Sequence, residues 1–173
     1  MEKPLLSPKN DLIFKLIFGE HKNTDILIDF LQAILDIPPE EYSHIEIVDP
    51  HLRQIAPGDK LGILDIKLHT KSGKVIDIDI QAFNVANLRE RVVYYTSKMI
   101  TAQIGEGDTY ENIKKAITIL ITDFVLITDS EEYHNGYVLH DPCSGSTFTD
   151  IIEVHTLELP KVPQKTDRSN LWN

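Results

Sequence analysis

Cysteine is nearly absent from this chain: Cys143 is the only one among 173 residues. An internal disulfide is excluded, and the usage suits a reducing cytosol. Positive charge is also scarce. Seventeen Lys and Arg stand against 27 Asp and Glu, giving a net charge of −10 at pH 7. That balance argues against a general nucleic-acid coat protein, which would be basic. It does not exclude a nuclease, because a carboxylate site adds local negative charge that a bound metal ion offsets. Long hydrophobic runs are missing as well. No stretch approaches the roughly 18 apolar residues of a membrane span, and the opening "MEKPLLSPKN" has no apolar signal core. The expectation is a cytoplasmic protein without membrane contact.

The composition is that of an ordinary globular chain, with 42% hydrophobic and 25% charged residues. The length suits one domain, read here as residues 1–162. Residues 163–173, "PQKTDRSNLWN", are polar and read either as a tail or as the point where a longer chain was cut. There is no internal repeat and no low-complexity tract.

Periodicity predicts the elements. "SPKNDLIFKLIFGE" opens with Ser7 and Pro8, suited to an N-cap and first helical position, and Leu12, Ile13, Leu16 and Ile17 recur at helical spacing. "NTDILIDFLQAILDIPPEE" predicts a second helix, capped by Asn23 or Thr24 and ended by Pro38 and Pro39. Its buried stripe is Ile26, Leu27, Phe30, Leu31, Ile34 and Leu35. "HIEIVDPHL" alternates like a strand. "NLRERVVYYTSKMITAQIGEG" returns to helical period, with Leu88, Val92, Tyr95, Met99 and Ala102 on one face and a stop at Gly105. "KKAITILITDFVLIT" is β-branched and almost continuously apolar, as in a central strand covered on both sides. "GYVLHD" and "FTDIIEVHTLEL" are further strands. The fold class expected is α/β, a mixed central sheet flanked by helices.

The chemistry concentrates in "GILDIKLHTKSGKVIDIDIQ". Side chains alternate along a strand, so Ile76, Ile78 and Ile80 share one face and Asp77, Asp79 and Gln81 the other. A three-residue loop at Lys71-Ser72-Gly73, with glycine in the left-handed position, pairs Thr70 with Lys74. Counting outward, Lys67 faces Asp77 and Asp65 faces Asp79. The register also puts Leu64, Ile66 and Leu68 on the apolar side. Two carboxylates directly opposite each other are destabilising by roughly 0.2–1 kcal/mol, and a divalent cation reverses that sign. Asp65 and Asp79 are thus a candidate metal site. The plainer alternative is a solvated polar face on which Lys67 pairs with Asp77.

The segments "NDLIFKLIFGE", "ILDIKLHTKSGKVIDIDIQ", "RVVYYTSKMITAQIGEGDTYENI" and "LELPK" follow one another in an order that resembles the PD-(D/E)XK nuclease family transposases, also called recombination-promoting nucleases. The resemblance runs from about Leu6 to Lys161. It implies a restriction-endonuclease-like core and hydrolysis of DNA phosphodiesters with Mg²⁺ or Mn²⁺. Asp65 matches the first acid of the motif and Asp79 the second, with Gln81 where lysine usually stands and Leu64 in place of the proline. Catalytic residues implied are Asp65, Asp79 and Gln81, and metal ligands are Asp65, Asp79 and, from the first helix, Asp11. Family members usually continue further, so the resemblance also implies a missing C-terminal part.

Arg91, Tyr94 and Lys98 share a helical face, and Arg91, Lys98 and Lys15 are the candidate DNA contacts. Their alternatives are an Asp11–Lys15 surface ion pair and an Arg91 lying over the sheet or pairing on its own helix. Tyr95 reads as core and His69 as exposed. His134, His140 and Cys143 fit no standard zinc spacing and read as scattered loop residues. Two functions stand: a metal-dependent endonuclease of mobile-element type, and a nuclease fold retained as a non-catalytic binding module. A small-molecule hydrolase using Asp79 as base ranks last, since no nucleophile motif or phosphate loop accompanies it. A homo-oligomer stays open.

Overall fold

The structure, a computed structural model, describes residues 9–52 and 62–163. The expected cap at Ser7 and Pro8 lies outside them. Asn10 starts helix α1 (Asp11–Phe18): its side-chain oxygen accepts from the Leu12 amide at 3.1 Å and the Ile13 amide at 3.4 Å, satisfying donors that a helix start leaves open. The inward face differs from the expected stripe. Phe14 is buried while Leu12 and Leu16 are exposed. Aromatic packing sets this rotation, with Phe14 on Phe18 at 4.8 Å between ring centroids and Phe18 on Phe30 at 5.3 Å.

Helix α2 (Thr24–Ile34) buries Leu27 and Leu31 and leaves Ile26 exposed. Asn23 does not cap it with its side chain. Instead its amide donates to the carbonyls of Leu16 and Ile17, at 3.1 and 2.9 Å, closing α1 and tying the two helices together. The helix stops at Ile34, ahead of Pro38. No helix among the described residues is long and apolar enough to cross a membrane.

The strands are β1 (Glu46–Val48), β2 (His51–Leu52), β3 (Gly62–Ile63), β4 (Ile66–His69), β5 (Val75–Gln81), β6 (Ala116–Thr122), β7 (His134–His140) and β8 (Thr147–Glu158), with helix α3 (Leu88–Thr101) between β5 and β6. Six of them form one sheet in the order β1-β4-β5-β6-β8-β7, and β2 pairs with β3 separately. β5, β6 and β8 run parallel and the other pairs antiparallel, so the sheet is mixed, as expected.

The β4–β5 turn is the one read from the sequence. The Thr70 amide donates to the Lys74 carbonyl at 3.0 Å and Gly73 has φ +86°, a value natural to glycine. Glu41 clamps the turn from outside, accepting from Thr70 Oγ1, the Ser72 amide and Lys74 Nζ at 2.8, 3.1 and 2.7 Å. Lys67 stands opposite Asp77 in the register.

One expectation fails upstream. The strand across residues 61–70 breaks at Leu64 and Asp65, where the Leu64 amide turns to the Pro50 carbonyl at 3.1 Å. The ladder therefore ends at Ile66 opposite Ile78. Leu64, expected beside Ile66 and Leu68, packs with Val75, Met99 and Ala116 on the other side of the sheet.

All seven residues of β6 are buried, each large aliphatic one worth about 1.5–3 kcal/mol. On one sheet face Ile66, Ile78, Ile80, Ile117, Ile119 and Ile121 meet Phe14, Leu27 and Leu31. On the other, α3 contributes Leu88, Val92 and Met99. β6 ends at Thr122, short of the expected "DFVLIT" extension, because Glu158 takes the Leu126 and Ile127 amides and draws that segment away. α3 ends at Thr101 rather than Gly105. Gln103 closes it, donating to the Met99 carbonyl at 3.1 Å while exchanging two bonds with Lys114 at 2.9 and 2.6 Å just before β6.

Candidate active site

The polar side of β5 points at α3, not at solvent. Val75 begins that side, and Asp77, Asp79 and Gln81 follow it toward the strand's C-terminal end. With Leu64, Asp65, Arg91, Val92, Tyr95 and Thr118 they line a cleft of about 200 Å³. The parallel neighbour β6 places Thr118 beside Asp77 and Leu120 beside Asp79. Above them Thr96 of α3 bonds Thr118, hydroxyl to hydroxyl, at 2.7 Å.

Asp65 reaches Asp79 by a route other than a strand pair. Residue 65 sits in the break before β4, and its Oδ2 accepts the Ile80 amide at 3.1 Å. From there the Asp65 and Asp79 carboxyls share a hydrogen bond. The acid pair counted from the register is present, and the break that disrupts the ladder is what turns Asp65 into the cleft.

Each carboxyl has a different environment. Burial works against ionisation of Asp65, but hydrogen bonds from Asp79, Lys15 and the Ile80 amide outweigh it and hold its pKa below the ordinary value. Asp79 is pushed up to about 7, by burial first and then by the adjoining Asp65. Gln81 and Arg91 oppose that rise: the Gln81 amide donates to both Asp79 oxygens at 3.0 and 3.2 Å, and Arg91 Nη2 donates to Oδ2 at 3.2 Å. Asp77 lies deepest, with 2% exposure. Burial and the neighbouring Asp79 and Asp65 raise it well above the carboxylate range, and its Oδ1 has no hydrogen-bond partner. Asp77, expected on a solvated face opposite Lys67, is thus a buried acid.

The remaining expectations divide. Arg91 is in the cleft, bonded across to β5 rather than along its own helix. Lys15 bonds Asp65 Oδ1 at 2.8 Å and Asp11 Oδ1 at 3.0 Å. Asp11 therefore sits behind Lys15, with its side chain 59% exposed, and does not line the cleft. Lys98 is buried, its Nζ 5.3 Å from the centre of the Tyr94 ring, and it does not line the cleft. Tyr95 is half-buried and borders the site. His69 is half-buried rather than exposed.

His134 and His140 are the ends of β7, not loop residues. His134 Nε2 lies 2.8 Å from Nδ1 of His155, whose Nε2 meets Glu153 at 2.7 Å, so the partner is an imidazole missed in the sequence. Among the described residues no group of three or more His, Cys, Asp or Glu is arranged to hold a metal ion.

Reasoning from sequence missed Asp77 and Thr118 as parts of the site. Alternation alone placed Asp77 beside Asp79, and a cover over that face was the missing information. Two carboxyls converging on one cleft suit Mg²⁺, which takes one or two carboxylates and fills its other positions with water and phosphate. The donor set at Asp65 and Asp79 therefore fits such an ion.

The family model described as PD-(D/E)XK nuclease family transposase matches residues 8–172. No curated protein and no solved structure gives a significant match. Nucleases of this superfamily generally use divalent metal ions. The match spans nearly the whole chain, the fold is a mixed sheet flanked by helices, and the chain belongs to the PD-(D/E)XK nuclease family transposases.

Proposed function

We propose that residues 1–162 form a DNA endonuclease domain that hydrolyses phosphodiester bonds with Mg²⁺ or Mn²⁺. The observation that carries this reading is the convergence of Asp65 and Asp79 in a cleft, one carboxyl held ionised and the other pushed to about 7. Such a pairing is unfavourable for stability, and perturbed groups of this kind concentrate at functional sites. Asp65 and Asp79 would hold the cation, which supplies Lewis-acid stabilisation of charge on the phosphate.

The chain's own residues have separable tasks. The Ile80 amide fixes Asp65. Asp79, which holds its proton up to about pH 7 without the ion, would give it up when the cation binds and share the ion with Asp65. Gln81 orients Asp79 in the resting state and, once a ligand takes up Asp79, is free to orient water. Arg91 counters the charge on Asp79 and borders the path of a DNA phosphate. Val92 and Tyr95 wall the cleft on the α3 side.

The test is incubation of the protein with supercoiled plasmid and Mg²⁺ or Mn²⁺, wild type beside Asp79→Ala. Metal-dependent nicking that is lost in the variant supports the site, and nicking indifferent to the substitution removes it. The second reading, an inert nuclease fold that binds without cutting, is favoured by one observation: the Gln81 amide is fully engaged with Asp79. DNA binding without any cleavage in the same assay would select it.

A further inference from the structure

The resemblance read from the sequence sets Gln81 where the lysine of the family's name would stand. Gln81 carries no charge, so nothing on β5 offsets the negative charge that builds on a phosphate during hydrolysis. The cleft is acidic, bordered by Asp65, Asp77 and Asp79. Among the described residues Arg91 and Lys15 bond to its acids. Arg91 enters from α3 and is held to Asp79. Lys15 comes from α1 and does not line the cleft itself; it is held between Asp65, which does, at 2.8 Å and Asp11 at 3.0 Å.

We propose that Lys15 is a catalytic residue that supplies, from helix α1, the positive charge that the signature places on the strand. The inference rests on the nuclease reading above.

Three features support it. Lys15 bonds Asp65, the first acid of the signature, so its ammonium is fixed to the acid pair. Its side chain is 37% exposed against 15% for Asp65, so it is reached from solvent and not enclosed in the core. Asp11, one helical turn before Lys15, holds it from the outer side. A lysine serving only as a surface ion pair would be complete with Asp11 alone.

In the reaction the water oxygen forms a bond to phosphorus while the bond from phosphorus to the leaving deoxyribose oxygen breaks. The water gives its proton to solvent, and the leaving oxygen gains one from solvent. Lys15 forms no bond. From its place on Asp65 the ammonium would act on the charge that accumulates on the non-bridging oxygens, the kind of interaction that bears on turnover more than on binding.

Four proteins test this: wild type, Lys15→Ala, Gln81→Lys, and the double variant Lys15→Ala/Gln81→Lys. Plasmid nicking with Mn²⁺ gives kcat and KM, and melting curves confirm that each is folded. Lys15→Ala is expected to lower kcat about 10²-fold and change KM less than tenfold. The double variant is expected to recover at least tenfold of that loss, which a purely structural role for Lys15 would not allow. Unchanged kcat, or a double variant no better than Lys15→Ala, overturns the proposal. Binding of orthovanadate with Mg²⁺, a five-coordinate phosphate mimic, is read in parallel by calorimetry. At least tenfold weaker binding in Lys15→Ala, restored in the double variant, supports Lys15 even if wild type nicks no plasmid, and in that case only the nuclease reading falls. Nicking by wild type with kcat equal in Lys15→Ala sinks Lys15 and leaves the nuclease reading standing. Vanadate binding that ignores Lys15 counts against the proposal in either case.

Discussion

Replacing Asp79 by Asn should change how stability depends on pH, and the size of the change follows from its surroundings. Burial and the adjoining Asp65 move the Asp79 carboxyl from 3.8 to about 7. The sign follows from which state holds the proton. Below about pH 4 both folded and unfolded chains are protonated at this position, and it contributes no slope. Between about 4 and 7 the unfolded chain has released the proton while the folded chain retains it, so stability falls as pH rises. Above about 7 both are ionised and the loss is complete. A displacement of this size corresponds to about 4 kcal/mol as an upper bound, since coupling to Asp65 and partial access to water reduce it. Asn has the same shape and no titration. It leaves Gln81 and Arg91 with altered partners, a cost that does not vary with pH and drops out of the slope. Urea denaturation at pH 5, 6, 7 and 8 without divalent ions gives the curve. The difference in stability, Asp79→Asn minus wild type, should increase by some 1–3 kcal/mol across that range. A difference that stays flat would refute the assigned environment of Asp79.

Further expectations follow from the same structure. Divalent-ion binding must displace the Asp79 proton, so Mn²⁺ affinity by calorimetry should rise up to about tenfold per pH unit below 7 and level off above it; an affinity independent of pH would contradict this. Glu158 is fully buried and takes Lys161 together with the Leu126 and Ile127 amides. Glu158→Ala should therefore cost about 3–5 kcal/mol in denaturant midpoint measurements, whereas a loss under 1 kcal/mol would mean the network is dispensable. Ile119→Ala, at the centre of β6, should cost about 2–5 kcal/mol by the same measurement. Glu41→Gln should weaken the β4–β5 turn by about 2 kcal/mol, visible as faster hydrogen exchange at the Thr70 and Ser72 amides.

The parts legible in the sequence were those governed by local rules. Gly73 and the three-residue loop fixed the register of Lys67 and Asp77 because a positive φ admits few alternatives. The β-branched run at Ala116–Thr122 was recognisable as a buried strand because every residue in it is apolar or threonine. What could not be read depends on contacts distant in sequence. Phe14 and Phe30 rotate α1 away from the stripe suggested by Leu12 and Leu16. The Leu64–Pro50 bond breaks a strand whose alternation looked continuous, moving Leu64 to the opposite face. The acid pair survived this error, because the same break brings Asp65 to the Ile80 amide. Asp77 looked like a surface residue until α3 covered it. Lys15 and Asp65 are fifty positions apart, and no pattern in either segment announces their ion pair.

Anomalous scattering from a crystal soaked in Mn²⁺ at pH 8 probes the proposed cation site without relying on turnover. The expected result is a single strong peak in the cleft, touched by the carboxylates of Asp65 and Asp79, with their mutual hydrogen bond broken. A saturating soak that leaves those two carboxyls bonded to each other, with no peak between them, would contradict it.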